Sequence, residues 1–302
     1  MSKLAWSDWQ PLPGDWNPSP ATLAETLDGG QSFRWHCADS IWTGTWSGCV
    51  AQLRLDEGRL WWRAPTTLHL AVATALPRYL GLNRDWVTLT DSLPWRSDVH
   101  LAQCIRSFLG LRLLRQPFGE TLLGFLCSAT KQIVQIKQML ALLAERHGAP
   151  LLSSSSLATC HLSLSSHRLP TWAELAAVPE KELRQCLLGF RAKFIHTSAK
   201  YIARHPDWLG ETERLPYAAA KARLLELPGV GEKVADCVLL FGAGKLEAFP
   251  VDTWVLKSLA RRYGLTGWKS APVAHFGRTH FGPLAGLAQQ YLFAWERKHG
   301  GR

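Results

Sequence analysis

The sequence predicts an α+β protein: an N-terminal antiparallel sheet followed by a larger, mostly helical region. Three observations predict it. Between residues 30 and 64, aromatic and β-branched residues cluster and alternate as strands require. After Pro65 the apolar spacing changes to three and four, the period of a helix. The 302 residues are 47% apolar and 19% charged, enough to bury a sizeable core and too apolar for intrinsic disorder. Length suggests about two domains. No run of about 18 apolar residues occurs, which excludes an ordinary membrane-spanning helix. The stretch Met1-Ser2-Lys3-Leu4-Ala5-Trp6-Ser7-Asp8 lacks the apolar run of a signal peptide, so an intracellular location is expected.

The elements follow in order. Ile41-Trp42-Thr43-Gly44-Thr45-Trp46 has strand composition, and Val50-Ala51-Gln52-Leu53-Arg54-Leu55 alternates. Arg59-Leu60-Trp61-Trp62-Arg63 follows a turn at Asp56-Glu57-Gly58, giving an antiparallel meander with one face covered. Helices are expected over 68–80 and 100–109. Residues 120–145 form one long helix or a close pair, because Leu122, Leu123, Phe125, Leu126, Ile133, Ile136, Leu140 and Leu143 recur at helical spacing. Ser153-Ser154-Ser155-Ser156 and the residues up to Pro170 read as a loop-rich connection. Pro170-Thr171 opens a helix at 172–175, and 180–188 is another, ending at Gly189 as a C-cap. Residues 192–204 are helical, with Lys193, Lys200 and Arg204 on the surface. Short helices at 217–225 and 232–241 flank Leu227-Pro228-Gly229-Val230-Gly231, and the C-terminal helix spans 285–298. No internal repeat is present. The expected division is a sheet domain with flanking helices over 1–105 and a helical domain over 106–302, its hairpin at about 223–242.

Charge is uneven. The chain has 34 basic and 24 acidic residues, a net +10; residues 1–150 hold 14 and 12 of them, residues 151–302 hold 20 and 12. A basic half suggests a polyanion such as nucleic acid, although charge alone equally fits a solubility surface. The seven cysteines (37, 49, 104, 127, 160, 186 and 237) include no Cys-x-x-Cys pair and fit neither a zinc ribbon nor an iron–sulfur site. They read as reduced, mostly buried thiols.

Leu227-Pro228-Gly229-Val230-Gly231 between two helices is a helix–hairpin–helix signature. Its glycines permit a tight turn and leave backbone N–H groups at a helix N-terminus, where they can hold a DNA phosphate. An ordinary helix–helix turn with a glycine cap would look the same. Lys233 and Cys237 then fall at i and i+4, on one helix face. Lys233 lies in the first turn, where the helix dipole disfavours an ammonium and favours the nucleophilic amine. Asp252, in Phe249-Pro250-Val251-Asp252, precedes a further helical pattern and is placed to N-cap it. A cap and a catalytic carboxylate are compatible roles.

At these residues the sequence resembles the 8-oxoguanine DNA glycosylases of the helix–hairpin–helix superfamily. The resemblance extends to Gly30-Gln31-Ser32-Phe33-Arg34-Trp35, to Gly110-Leu111-Arg112-Leu113-Leu114-Arg115-Gln116 with Phe125-Leu126-Cys127-Ser128, to Leu188-Gly189-Phe190-Arg191-Ala192, and to the segment from Phe281 to Phe293. These blocks stand in family order from about residue 25 to 295. The resemblance implies a TATA-binding-protein-like sheet packed on two helical subdomains with the DNA cleft between them. It implies Lys233 as the nucleophile at C1′, forming a Schiff base that permits strand cleavage by β-elimination, and Asp252 as the carboxylate that stabilises charge developing on the sugar. A flipped base would be sandwiched by Cys237 and Phe293. Its Watson–Crick edge would bond Gln289, and the Gly30 carbonyl would accept the N7–H that separates 8-oxoguanine from guanine. A Lys233–Cys237 charge pair would complement the base dipole.

Some positions depart from the eukaryotic members. Thr130-Lys131-Gln132 replaces three asparagines, Gln135 replaces an arginine, Phe190 a wedging tyrosine and Trp254 a phosphate-contacting histidine. Of the set that reads the opposite cytosine, Arg191 remains, so a relaxed preference for that cytosine is expected. Phe190 can still fill the gap left by the flipped base, and Lys131 can contact a phosphate. Redox cofactors and catalytic metals are not implied. A structural monovalent cation on the carbonyls of Leu225, Leu227 and Val230 is. The implied partner is duplex DNA carrying an oxidised purine, met by a monomer away from membranes. Two other readings stay open. One keeps the lysine chemistry on a different oxidised base, against which Gly30, Cys237, Gln289 and Phe293 argue. The other is a non-catalytic lesion-binding module, which has no need to keep Lys233 and Asp252 together.

Overall fold

In the computed structural model, which describes residues 5–151 and 167–300, the chain is an antiparallel sheet set against a larger helical body. The serine run at 153–156, most of the expected connection to Pro170, Cys160 and the first four residues lie outside the described residues. The sheet holds β1 (Gln10–Pro11), β2 (Trp35–Ala38), β3 (Ile41–Trp46), β4 (Cys49–Asp56) and β5 (Arg59–Arg63) in the order β1-β5-β4-β3-β2. The expected meander is present, with Trp42 opposite Leu53 and Leu55 opposite Leu60. Asp39-Ser40 and Glu57-Gly58 close two of its hairpins with positive φ at both residues, the turn geometry that matches strand twist. Strand β1, too short to show a period, adds to the outer edge through Gln10 opposite Trp62; Pro11 is tolerated there because an edge leaves its missing N–H unneeded.

The first helix, α1 (Pro20–Asp28), is capped by Ser19 and was not expected. Helix α2 (His69–Tyr79) covers the inner face of the sheet. Leu23, Leu27, Trp35, Trp46, Leu53, Leu60, Leu76 and Tyr79 form this smaller core. Helices α3 (Trp86–Asp91) and α4 (Val99–Ser107), placed with the sheet by the expected boundary at 105, bury Trp86, Leu101 and Cys104 in the larger core.

The stretch 120–145 is the helix pair: α5 (Phe118–Leu126) and α6 (Ile133–His147). Thr171 caps α7 (Trp172–Ala177) as expected. The expected helix at 180–188 is instead a single turn, α8 (Glu180–Leu183), running into a π-helical stretch, Arg184–Leu188. Leu187 (φ +60°) and Gly189 (φ +56°) turn the chain back, a break invisible in apolar spacing. The exposed Lys193, Lys200 and Arg204 lie on α9 (Arg191–Arg204). Next come α10 (Trp208–Arg214), α11 (Tyr217–Leu225), α12 (Glu232–Cys237) with a π continuation at Val238–Ala243, α13 (Thr253–Arg262), α14 (Ser270–Phe281) and α15 (Ala285–His299). Of the six described cysteines only Cys37 is exposed.

Candidate active site

The hairpin is built by α11, residues 226–231 and α12. Gly229 has φ +84°, and a Cβ there would stand 2.5 Å from the Phe194 ring, so only glycine fits. Gly231 faces open space. The two helices are tied by a buried network that the sequence reading missed. Lys221 Nζ lies 3.0 Å from Asp236 Oδ1 and 2.6 Å from Glu232 Oε2, and the Tyr217 hydroxyl donates to Asp236 at 2.7 Å. One signal could have found it: Asp236 interrupts the apolar run from Val234 to Phe241, and a carboxylate buried there must be paired.

Lys233, on the first turn of α12, is half-buried. Its Nζ donates to Ser128 Oγ at 3.2 Å and sits 5.1 Å from the centre of the Phe125 ring. Phe125 is itself fixed, stacked on Phe241 at 5.6 Å and edge-on to Phe33 at 5.2 Å. Asp252 N-caps α13 as expected, its Oδ1 accepting from Trp254 N at 3.0 Å and Val255 N at 2.8 Å. Burial raises the Asp252 carboxyl above the usual carboxylate range, opposed by the Val255 N–H and by the positive charge of Lys233, which is close enough to act on it.

Cys237 lies one turn beyond Lys233, buried, with burial pushing its thiol up to about 12 despite that lysine. Burial thus favours the neutral thiol and works against the implied Lys233–Cys237 charge pair.

Gly30 (φ +112°) lies where a Cβ would meet Ile133 Cδ1 at 3.3 Å and the Phe293 ring at 3.7 Å. Phe293 and the buried Gln289 share one face of α15 at i and i+4. The Gln289 Oε1 accepts from Gln290 Nε2 at 2.7 Å, which leaves its own amide N–H groups as donors. The Gly30 segment is braced on several sides. Glu25 pairs with Arg297 at 2.6 Å and Asp28 with Lys137 at 2.8 Å. Gln31 donates to Arg112 O at 2.8 Å, accepts from Leu114 N at 2.9 Å, and its carbonyl accepts from Gln116 at 2.6 Å. Gly30 and Phe293 are therefore brought together, from opposite ends of the chain.

The residues assigned to the opposite strand divide. Phe190 projects from the turn before α9 and is 51% exposed; Leu187, which sequence reasoning did not single out, is 52% exposed beside it. The Phe190 ring meets Phe194 edge-on at 5.8 Å, linking this tip to the hairpin at Gly229. Arg191 is only 2% exposed. Its guanidinium turns inward to the Ala129 carbonyl, to Leu188 O at 3.2 Å and to Thr130 Oγ1 at 2.9 Å, so in this conformation it holds the turn instead of presenting donors to a base. Thr130 takes φ +56° at an exposed corner. Lys131 is half-buried, and its N–H donates to Ser128 O at 3.2 Å. Gln135 accepts from the Gln132 N–H at 3.1 Å and so serves the start of α6. Trp254 is half-buried with Lys257 Nζ 5.7 Å from its ring centre.

Of the three carbonyls implied for a cation, that of Leu227 already accepts from Val230 N at 3.1 Å. Leu225 is 37% exposed and Val230 is buried. The set offers neutral oxygens alone. No group of three or more His, Cys, Asp or Glu side chains suited to a metal occurs among the described residues, and no helix among them is long and apolar enough to cross a membrane.

An antiparallel sheet on a helical body, with a hairpin lysine whose charge acts on the N-cap carboxylate of a following helix, fits the architecture of a helix–hairpin–helix DNA glycosylase. Residues 15–122 match the family described as the N-terminal domain of 8-oxoguanine DNA glycosylase. The N-glycosylase/DNA lyase OGG1 of Arabidopsis thaliana is 31% identical over 300 residues, covering 91% of this chain and 77% of the plant protein. The probable N-glycosylase/DNA lyase of Methanothermobacter thermautotrophicus is 30% identical, covering 70% of this chain and 72% of its own length. The 8-oxoguanine glycosylase/lyase of Clostridium acetobutylicum, solved with duplex DNA carrying cytosine opposite 8-oxoguanine, superposes with a TM-score of 0.82 at 29% identity over 92% of each chain. The chain belongs to the 8-oxoguanine DNA glycosylase family.

Proposed function

We propose that this protein excises 8-oxoguanine from duplex DNA and then cleaves the strand as an abasic-site lyase, with Lys233 as nucleophile and Asp252 as electrostatic partner. The observation that carries the proposal is a hairpin lysine within electrostatic reach of a half-buried, twice hydrogen-bonded carboxylate. Lys233 Nζ gives its electron pair to C1′ as the C1′–N9 bond breaks and the base leaves with that bond's electrons. The base takes up a proton, and Nζ loses one. Opening of the C1′–O4′ bond gives the imine; loss of a C2′ proton then expels the 3′ phosphate. Asp252 opposes the positive charge that builds on the sugar during the first step, and its fixed backbone donors keep it from reorganising.

The lesion would occupy the space by Gly30, Gln289 and Phe293, with Cys237 as a neutral wall and Phe190 entering the duplex. The hairpin N–H groups at Gly229 and Gly231 would take a phosphate, aided by Lys131 and by Trp254 at the start of α13. With Arg191 turned inward and Gln135 engaged in capping, this reading includes a relaxed demand for cytosine opposite the lesion. A cation on the hairpin carbonyls would only stiffen the phosphate site. The two cores are taken as two domains, and the compartment as the one that holds the DNA.

The test uses duplexes carrying 8-oxoguanine opposite each of the four bases, with borohydride to trap an imine. Excision and trapping are expected with the wild type in all four duplexes, at rates that differ little, and neither with Lys233→Gln. Activity confined to another lesion would refute the base assignment; trapping that persists in Lys233→Gln would refute the nucleophile.

A further inference from the structure

Ser128 has a geometry that none of the roles above uses. It is 8% exposed and follows the end of α5. Its hydroxyl donates to Phe125 O at 2.7 Å and accepts from Lys233 Nζ at 3.2 Å. A serine hydroxyl has one proton, and here it is committed to a backbone carbonyl. The oxygen can therefore face Lys233 only as an acceptor. The difference matters for a neutral amine. A freely rotating hydroxyl would donate into the amine's lone pair, the pair that must attack carbon. A hydroxyl locked by Phe125 O instead binds an N–H and fixes the rotation about Cε–Nζ. The Phe125 ring, 5.1 Å from Nζ, bounds another side. Backbone and ring of Phe125 thus act together, one orienting Ser128 and the other facing the lysine.

We propose that Ser128 is a positioning residue for Lys233: locked as an acceptor by the Phe125 carbonyl, it holds the amine with its electron pair free and directed toward the sugar. This rests on the lysine nucleophile proposed above and adds to it the group that orients the attack. It predicts that the hydroxyl acts on the bond-forming steps and not on DNA binding.

The experiment compares the wild type, Ser128→Ala and Lys233→Gln in single turnover on an 8-oxoguanine duplex, and in borohydride trapping on a preformed abasic duplex. Affinity for a duplex with a non-cleavable abasic analogue and the melting temperature are measured alongside. Ser128→Ala is expected to slow excision and trapping by roughly tenfold or more, the scale of a lost hydrogen bond to a reacting group. DNA affinity and melting temperature should stay at wild-type values. Wild-type rates in Ser128→Ala beside an inactive Lys233→Gln would overturn the proposal while leaving the nucleophile intact. So would rates that fall only in step with affinity or melting temperature, which mark a structural serine. Persistent trapping in Lys233→Gln would instead show that the lysine reading itself had failed.

Discussion

Asp252 carries two duties that substitution can separate. Its Oδ1 accepts two backbone N–H groups at the start of α13, a cap that asparagine can also supply. Its charge is the other duty, and burial disfavours it, raising the carboxyl above the usual range. A group whose folded pKa is raised stabilises the fold below its unfolded pKa and loses that contribution as pH rises through the folded one. Ionising Asp252 therefore costs stability. Asp252→Asn should lower single-turnover excision by about 100-fold or more while raising the neutral-pH melting temperature. The same shift sets the acid side of the rate profile: wild-type excision should fall, as pH drops, through a midpoint above that of an ordinary aspartate. An acid limb at or below the ordinary value would separate Asp252 from catalysis. At this scale the placement of the candidate residues was legible: spacing puts Lys233 and Cys237 on one face of α12, because a helix fixes i, i+4 geometry without help from the rest of the fold, and local motif puts Asp252 at the N-cap of α13. What was not legible was orientation. The sequence shows an arginine at 191 but not that nearby carbonyls pull it inward, and it shows a serine at 128 but not where its one proton goes.

The hairpin depends on the network that joins its two helices. Lys221 and Asp236 lie in α11 and α12, their side chains 11% and 2% exposed. Removing one member of such a pair leaves an uncompensated buried charge. Lys221→Ala should destabilise the protein by about 3 kcal/mol, measured by chemical denaturation, and should weaken DNA binding as the hairpin loosens. Lys221→Met with Asp236→Leu should recover most of the stability, since a neutral pair of similar volume leaves no unpaired charge. Recovery no better than the single substitution would mean that the pair itself, and not the stranded carboxylate, supports the hairpin. Element positions were legible where amphipathic period decides them, as at α2, α11 and α15. The π stretches after α8 and α12 were not, since a single π turn is defined by i→i+5 backbone bonding, which residue types do not announce. The tryptophans, 15 in all, find part of their explanation on the outer sheet face. There Arg54 lies 4.6 Å from the Trp9 ring centre, and Arg63 lies 4.5 Å from Trp9 and 5.1 Å from Trp6. These contacts seal the edge strand β1 without a second covering layer.

Over the whole molecule, the proposed lesion pocket would join distant parts of the chain: Gly30 follows α1, whose Leu23 and Leu27 lie in the sheet-side core, and Gln289 and Phe293 lie on the last helix. Anything that shifts the seam between the cores shifts the pocket. Glu120 of α5 lies at that seam, beside a cavity of about 20 Å³ bordered by Arg34, Trp46, Tyr79 and Phe125. Its Oε1 accepts the Ser47 N–H from the β3–β4 turn at 2.7 Å. Burial pushes its carboxyl up to about 7, against the pull of Arg34 and the Ser47 N–H. The raised value makes the protonated carboxyl the stabilising form, so its contribution is complete below the ordinary glutamate range and is lost as pH rises through about 7. Native stability should therefore decline from about pH 4.5, the ordinary value, to about pH 7, the raised one, and level off above it, and Glu120→Gln should flatten the decline. At pH 8 the variant should melt above the wild type, because a neutral amide can keep the Ser47 N–H bond without a buried charge. Below about pH 4.5, where the carboxyl is protonated in the folded and the unfolded chain alike, the two should nearly coincide. Melting curves across this range decide the matter: an unchanged slope in Glu120→Gln would place the titrating group elsewhere, whereas a flattened slope with constant excision would show that the seam tolerates the charge without transmitting it to Gly30.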